Sequence, residues 1–324
     1  MNWKAWLITL GASLTLGTAL AQAPAADWPS KTVKILVPYA PGGSSDTLGR
    51  IIAQQLQTQL KQSFVVENRA GGGGTIGSAA VAKNAPDGYS LVVSGIGSHV
   101  IAPATVKVFN PMDDFSHIAL LGGPPTVLVV HPSVPANSVP EFITWVQGLK
   151  QGLSWGSPGP GTHGHMVGEM FARQTKISQT HIGYKGAAPA VTDLVSGQVL
   201  AAFVTFSSAN AFIASGRIKA LGVTSIKRMA DIPSVPTFAE LGYPDLTATT
   251  WFAISGPAGM PAPLVRKINE EIRRAQKSEP VLKLMAAEGM ETQDMDPAQF
   301  TRFVGQEIQR WAPLVQAIEK SKPN

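Results

Sequence analysis

The sequence contains no cysteine. That excludes a disulfide scaffold and a thiolate metal site, and it leaves stability to the apolar core alone. Runs of like charge are also missing. Basic residues go no further than pairs such as Arg266-Lys267 and Arg273-Arg274, so the net charge of +5 is diffuse. A diffuse excess argues against a nucleic-acid partner, while a mild positive potential still favours small anions. Beyond Leu20 no apolar stretch reaches membrane-spanning length. No paired carboxylates and no nucleophile–base pair stand out, so no active site is legible. Internal repeats and low-complexity tracts are absent as well.

What the chain does have begins at its first residues. Lys4 precedes an apolar run from Ala5 to Leu20, and small residues follow in Ala19-Leu20-Ala21-Gln22-Ala23. This is the layout of a secretory signal peptide over 1–21, cleaved after Ala21 or Ala23. A retained anchor is the rival reading, but the run is short for a span and carries Thr9, Ser13, Thr15 and Thr18. The mature chain is then expected to be soluble and exported. Its length, taken from the 324 residues of the whole, lies near the size where one core becomes two.

Strand-like and helix-like segments alternate almost throughout. Val33-Lys34-Ile35-Leu36-Val37 reads as a strand, and Leu48, Ile51, Ile52, Leu56 and Leu60 mark a helix. Strands are expected at 63–68, 90–94, 118–121, 127–130, 153–156, 200–205 and 218–224. Helices are expected at 76–83, from Pro140, around Met166 to Phe171, at 188–195 and at 209–215. Two amphipathic helices close the chain, one on Leu264, Ile268 and Ile272, the other on Phe300, Phe303, Val304 and Ile308. Such alternation predicts open, mainly parallel sheets with helices on both faces, and ligands at the carboxyl ends of the strands.

Two glycine loops each follow a strand and open a helix. The first is Ala40-Pro41-Gly42-Gly43-Ser44-Ser45-Asp46 and the second Ser157-Pro158-Gly159-Pro160-Gly161-Thr162. Glycines let a backbone approach a ligand, and the free N–H groups of a helix start favour an anion. Taken alone, the first loop is either an anion cradle or an ordinary turn with a Ser44 cap. Two such ends facing each other would clasp a small anion from both sides. Asp46 would repel that anion, so its role is read first as holding the loop in shape.

Other motifs lead nowhere. Gly72-Gly73-Gly74-Thr75-Ile76-Gly77 fits a dinucleotide fingerprint, but the next strand ends Val93-Ser94-Gly95-Ile96-Gly97 without the required acid. Gly152-Leu153-Ser154-Trp155-Gly156 fits a nucleophile elbow, but Ser154 falls inside the strand rather than at a sharp turn after it. His163 and His165 would point about 200° apart on a helix, so with Glu169 they make no metal site. His163 is either a hydrogen-bond donor to an anion or a solvated helix-start histidine.

Taken together, several segments closely resemble the receptors of tripartite tricarboxylate transporters, the Bug-type solute-binding proteins. The matching pieces are the first glycine loop from Val37, Val66-Glu67-Asn68-Arg69, Pro86-Asp87-Gly88-Tyr89, and Tyr184-Lys185-Gly186-Ala187-Ala188-Pro189-Ala190. Asp193-Leu194-Val195-Ser196-Gly197, Pro233-Ser234-Val235-Pro236-Thr237 and Thr250-Trp251-Phe252 continue the series. The resemblance implies a two-lobed type II flytrap, with 22–126 plus 248–324 as one lobe and 127–247 as the other. It implies a periplasmic monomer that needs no cofactor and no metal. The ligand would be a small carboxylate, and the partner a two-component membrane permease.

The site residues implied are Tyr39, Gly42, Gly43, Ser44, Ser45, Asp46, Gly71, Gly72 and Ser94 from the first lobe. From the second come Ser157, Gly159, Gly161, Thr162, His163, Tyr184, Lys185 and Thr205. Lys185 would supply a charge or serve lobe packing. Two departures from the family pattern stand on the far side of the pocket: Thr205, where an acid is frequent, and Gly183, where proline is usual. The ligand is left open among di- and tricarboxylates, acidic amino acids, aromatic carboxylates and nicotinate-like acids. A sensory partner of a membrane signalling protein is the second expectation, and an exported hydrolase the third.

Overall fold

Val33–Val37 forms strand β1, in which only Lys34 reaches solvent, because the other four side chains are apolar and face helices on both sides. The computed structural model of the chain describes residues 27–287, 289–290 and 293–320. The leader expected over 1–21 lies outside them.

Two five-stranded sheets share one plan. The first runs β2 (Phe64–Asn68), β1, β3 (Ser90–Gly95), β10 (Phe252–Pro257), β4 (Phe115–Gly122). The second runs β7 (Gln179–Gly183), β6 (Leu153–Ser157), β8 (Ala201–Thr205), β5 (Thr126–Val130), β9 (Lys219–Val223). In each, the first two pairings are parallel and the last two antiparallel. The sheets are therefore mixed, where alternation alone predicts mainly parallel ones. The reason is the route of the chain. Residues 123–125 carry it from β4 straight into β5, and 224–251 bring it back to β10. A strand that leaves the hinge must run against neighbours that arrive there.

Helix α1 (Ser44–Leu60) joins β1 to β2, and α5 (His163–Thr175) joins β6 to β7. Leu48, Ile52 and Leu56 of α1 pack beside Leu264, Ile268 and Ile272 of α8 (Ala262–Gln276) under the first sheet. Each such side chain contributes roughly 1.5–3 kcal/mol by leaving water. Helices α6 (Ala187–Val195) and α7 (Phe206–Ala214) cover one face of the second sheet through Val191, Leu194 and Ala209. The last helix, α10 (Pro297–Lys320), lies across the hinge. Its Phe300, Val304 and Trp311 join a core that also holds Leu120 of β4 and Phe171 of α5. The carboxyl ends of β1, β3, β6 and β8 all face the cleft between the sheets, where the two glycine loops meet.

Candidate functional site

Helix α1 starts without a side-chain cap. Gly43 is its N-cap with φ −90° and ψ 171°, so Ser44 is the first helical residue and not the cap. Gly42 turns the chain with φ +86°, a conformation that favours glycine. Behind this loop stands Asp46. Gly42 N donates to its Oδ2 at 3.0 Å, Arg50 Nε donates to the same oxygen at 3.0 Å, and Asn68 Nδ2 donates to Oδ1 at 2.9 Å. Burial raises the Asp46 pKa, but these donors and the Arg50 charge outweigh it and hold the carboxyl below its ordinary value. Ser44 and Ser45 N–H groups, in the first turn, have no intrahelical acceptor.

Helix α5 starts on Thr162, whose Oγ1 accepts from His165 N at 3.4 Å and donates to Gly159 O at 2.7 Å. Ser157 Oγ accepts from Gly159 N at 3.1 Å, and Gly161 N donates to His165 Nδ1 at 3.2 Å. Helices α6 and α7 begin beside it, with Gly186 and Thr205 as N-caps.

Four helix starts thus converge on one cavity of about 50 Å³. Gly43, Ser44 and Ser45 line it from α1, Thr162, His163 and Gly164 from α5, Ala187 from α6 and Thr205 from α7. Tyr39, Ile96, Gly97, Thr126, Pro158, Thr250 and Phe252 complete the wall. No side chain in it carries a formal charge. Burial, with a smaller push from Arg310, lowers the His163 pKa to about 3, so the ring is neutral at physiological pH. Its Nδ1 lies 2.9 Å from both Thr126 Oγ1 and Thr250 Oγ1, and its ring meets Trp311 edge-on at 5.4 Å.

The lobes touch directly around this cavity. Ser44 Oγ lies 2.6 Å from Thr205 Oγ1 and also hydrogen-bonds Ser207, and Ala40 N donates to Lys185 O at 2.8 Å. The clamp is closed.

Of the residues named from sequence, Tyr39, Gly43, Ser44, Ser45, Thr162, His163 and Thr205 come together in the wall. The others do not. Gly42 and Asp46 brace the first loop from behind. Gly71 and Gly72 lie outside the wall, where Gly97 and Ile96 stand instead, because the turn after β3 comes closer than the turn after β2. Ser94 is spent on Ser255 at 2.8 Å, and Ser157 on His181 at 2.7 Å. Gly159 and Gly161 shape the second loop with φ +133° and +73°. Burial, joined by the hydrogen bond that Tyr184 donates to Asp193 Oδ2 at 2.7 Å, pushes its pKa up to about 12. Lys185 is exposed and offers the cleft only its carbonyl. Ile96, Gly97, Thr126, Pro158, Gly164 and Ala187 also line the wall and were not among the site residues named from sequence. Thr250 and Phe252 stood in a matching motif, which was the signal available for them.

Two sheets hinged at two crossings, closed over a cavity of helix starts, define a two-lobed solute-binding protein. The chain belongs to the tripartite tricarboxylate transporter receptor family, whose model matches residues 48–320. It is 34% identical to BugT of Bordetella pertussis over 97% of this chain and 98% of that protein. Two solved structures agree in fold. An R. palustris protein solved with adipate superposes with a TM-score of 0.86 at 30% identity, covering 90% of this chain and 99% of that one. MatC from Rhodopseudomonas palustris, with bound malate, gives a TM-score of 0.85 at 31% identity over 89% and 100%.

Proposed function

We propose that this chain is an exported, monomeric receptor that closes its lobes on a small carboxylate and presents the closed form to a two-component membrane permease in the periplasm. One observation carries the reading: four helix N-termini aim at a cavity with no charged side chain. Each N-terminus acts as roughly half a positive charge, and those of α1 and α5 add N–H donors without an intrahelical acceptor. Ser44 and Ser45 would hold a carboxylate from one lobe, and His163 and Gly164 from the other. The adipate and malate bound by two neighbours support the same ligand class.

Charge-assisted bonds contribute about 1.5–3 kcal/mol each. A few of them, less the cost of association, yield a micromolar complex near −8 kcal/mol, written as about 1 μM. Closure expels water and lets both sets of amides reach the ligand together. No bond of the ligand needs to break. Ser154, the serine of the elbow-like motif, is exposed on β6 and does not line the cavity.

The test is a thermal-shift screen of the mature protein against mono-, di- and tricarboxylates, followed by calorimetry on the hits. A saturable shift with one class supports the reading. No shift with any carboxylate contradicts it.

A further inference from the structure

This inference rests on the cleft being a carboxylate site. We propose that His165 is a positioning residue that ties the grip of the second glycine loop to pH: the loop holds its shape only while that ring is neutral, so affinity for a carboxylate falls as pH drops through the range where imidazoles titrate.

The geometry fixes where the proton of the ring sits. His165 is buried in the first turn of α5, and Gly161 N donates to its Nδ1 at 3.2 Å. A neutral imidazole has one acceptor nitrogen and one N–H. Nδ1 is therefore the acceptor, and the proton stands on Nε2, 3.7 Å from Glu169 Oε1 one turn along the helix. A second proton can enter only at Nδ1. It would set N–H against N–H and break the bond to Gly161.

Gly161 holds two things in place. A Cβ on it would lie 2.8 Å from the Cβ of Ala102, so the loop touches the other lobe here. The three residues that follow, Thr162, His163 and Gly164, line the cavity. Losing the bond loosens the lobe contact and the start of α5 together. Once it is lost, the Glu169 carboxylate favours the imidazolium. The proton thus prefers the loosened loop and the ligand the ordered one, so each expels the other.

The groups around the ring leave this coupling intact. His181 faces it from β7 with centroids 4.2 Å apart, and His181 Nε2 lies 2.7 Å from the Ser157 Oγ that accepts from Gly159 N. A charge on His181 would oppose one on His165. β6 presents the uncharged Trp155 ring, tilted by 13°. Strands β5 and β8, also packed on α5, carry no titratable side chain. Asp245 accepts from Gln174 at the far end of α5, and Arg310 of α10 acts on His163.

The experiment is calorimetry of the wild-type mature protein at pH 8, 7 and 6 with aspartate, lactate, tartrate and benzoate, acids that stay ionised over that range. A ring of ordinary pKa that must be neutral makes binding about fourfold weaker at pH 6 than at pH 8, and Glu169 enlarges the effect. His165→Asn places an oxygen where Nδ1 stood, so it accepts from Gly161 N and takes no proton. It is expected to bind at pH 8 and to lose most of the fall toward pH 6. Glu169→Gln is expected to move the fall to lower pH. Equal wild-type affinity at pH 6 and pH 8 overturns the proposal, and so does a fall that survives unchanged in His165→Asn. If that variant fails to fold, Glu169→Gln decides, and a fall at the wild-type pH overturns the proposal. If none of the four acids binds at pH 8, the carboxylate reading itself falls, and the coupling with it.

Discussion

The two glycine loops that meet across the cleft are built by opposite means. The loop before α1 has no side-chain cap, and its shape is fixed by the Asp46 carboxylate standing behind it. The loop before α5 is held by the hydroxyls of Ser157 and Thr162 and by the ring of His165, with the Glu169 carboxylate 3.7 Å from the far nitrogen of that ring. The difference shows a shared constraint. The negative groups that shape the loops are kept out of the cavity: neither Asp46 nor Glu169 lines it. A carboxylate brace is tolerable only because Asp46 is saturated by its own partners.

The contact between the lobes is the place to break the clamp. A Cβ on Gly73, in the turn after β2, would clash with the Pro160 carbonyl oxygen in the loop before α5, although neither residue lines the cavity. Gly73→Ala is therefore expected to hold the lobes open. Calorimetry with the tightest-binding acid should show a loss of roughly a hundredfold, while far-ultraviolet dichroism stays native. Wild-type affinity in that variant would mean that closure does not bring these loops together. Gly43 gives the next largest effect. Its Cβ would sit 3.7 Å from the Ala187 Cβ, ordinary contact, so Ala fits while the methyl groups of Val do not. Gly43→Val should cost about 1–3 kcal/mol of binding, and Gly43→Ala much less. Equal affinities for the two variants would remove Gly43 from the clamp.

The braces themselves differ in strength. Asp46→Asn removes the charge that Gly42 and Arg50 share, and is expected to cost about 1–2 kcal/mol in denaturant unfolding. Thr162→Ala removes the neutral cap of α5 and is expected to cost about 1 kcal/mol. If the second loses more than the first, the carboxylate brace is not the stronger one.

The smallest effect near neutral pH separates the loops by titration. His163, at the start of α5, has its folded pKa lowered from 6.5 to about 3. The unfolded chain therefore takes up its proton below pH 6.5 while the folded one does not, and stability falls as pH is lowered through that window. The share of His163 is below about 1 kcal/mol between pH 7 and pH 6. Asp46 is the reverse case in a different window. Its folded pKa lies below the ordinary 3.8, so its contribution is complete above that value and lost as pH falls beneath it. Thermal midpoints at pH 7 and 6 should thus diverge less in His163→Gln than in the wild type, and no less in Asp46→Asn. An unchanged slope in His163→Gln would contradict a buried neutral ring.

Much of this was legible in the sequence. Strand β1, helix α1 and both glycine loops were visible because apolar period, glycine and helix start fell in register within a few residues. What was hidden is set by the route of the chain. Strand β7 is a polar, largely exposed edge strand, with no apolar alternation to show it. Strand β10 is buried yet carries Ser255 and ends Gly256-Pro257, which read locally as a turn. Its antiparallel placement between β3 and β4 follows from its return across the hinge, which no local pattern records. Thr126 and Thr250 reach the cavity for the same reason, the first where one crossing enters β5 and the second on the return crossing. Ser94, Ser157 and Lys185 have the right chemistry at nearly the right place, but their donors and acceptors are spent elsewhere or face solvent.

The central claim is that peptide N–H groups, not ionised side chains, hold the ligand. Proton–nitrogen correlation spectra recorded while the tightest-binding acid of the carboxylate screen is titrated in would test it most directly. The account predicts that the amide protons of Ser44, Ser45, His163 and Gly164 move downfield together and saturate with the calorimetric isotherm. Saturable binding that leaves those four amides in place, with the large shifts elsewhere, would contradict it.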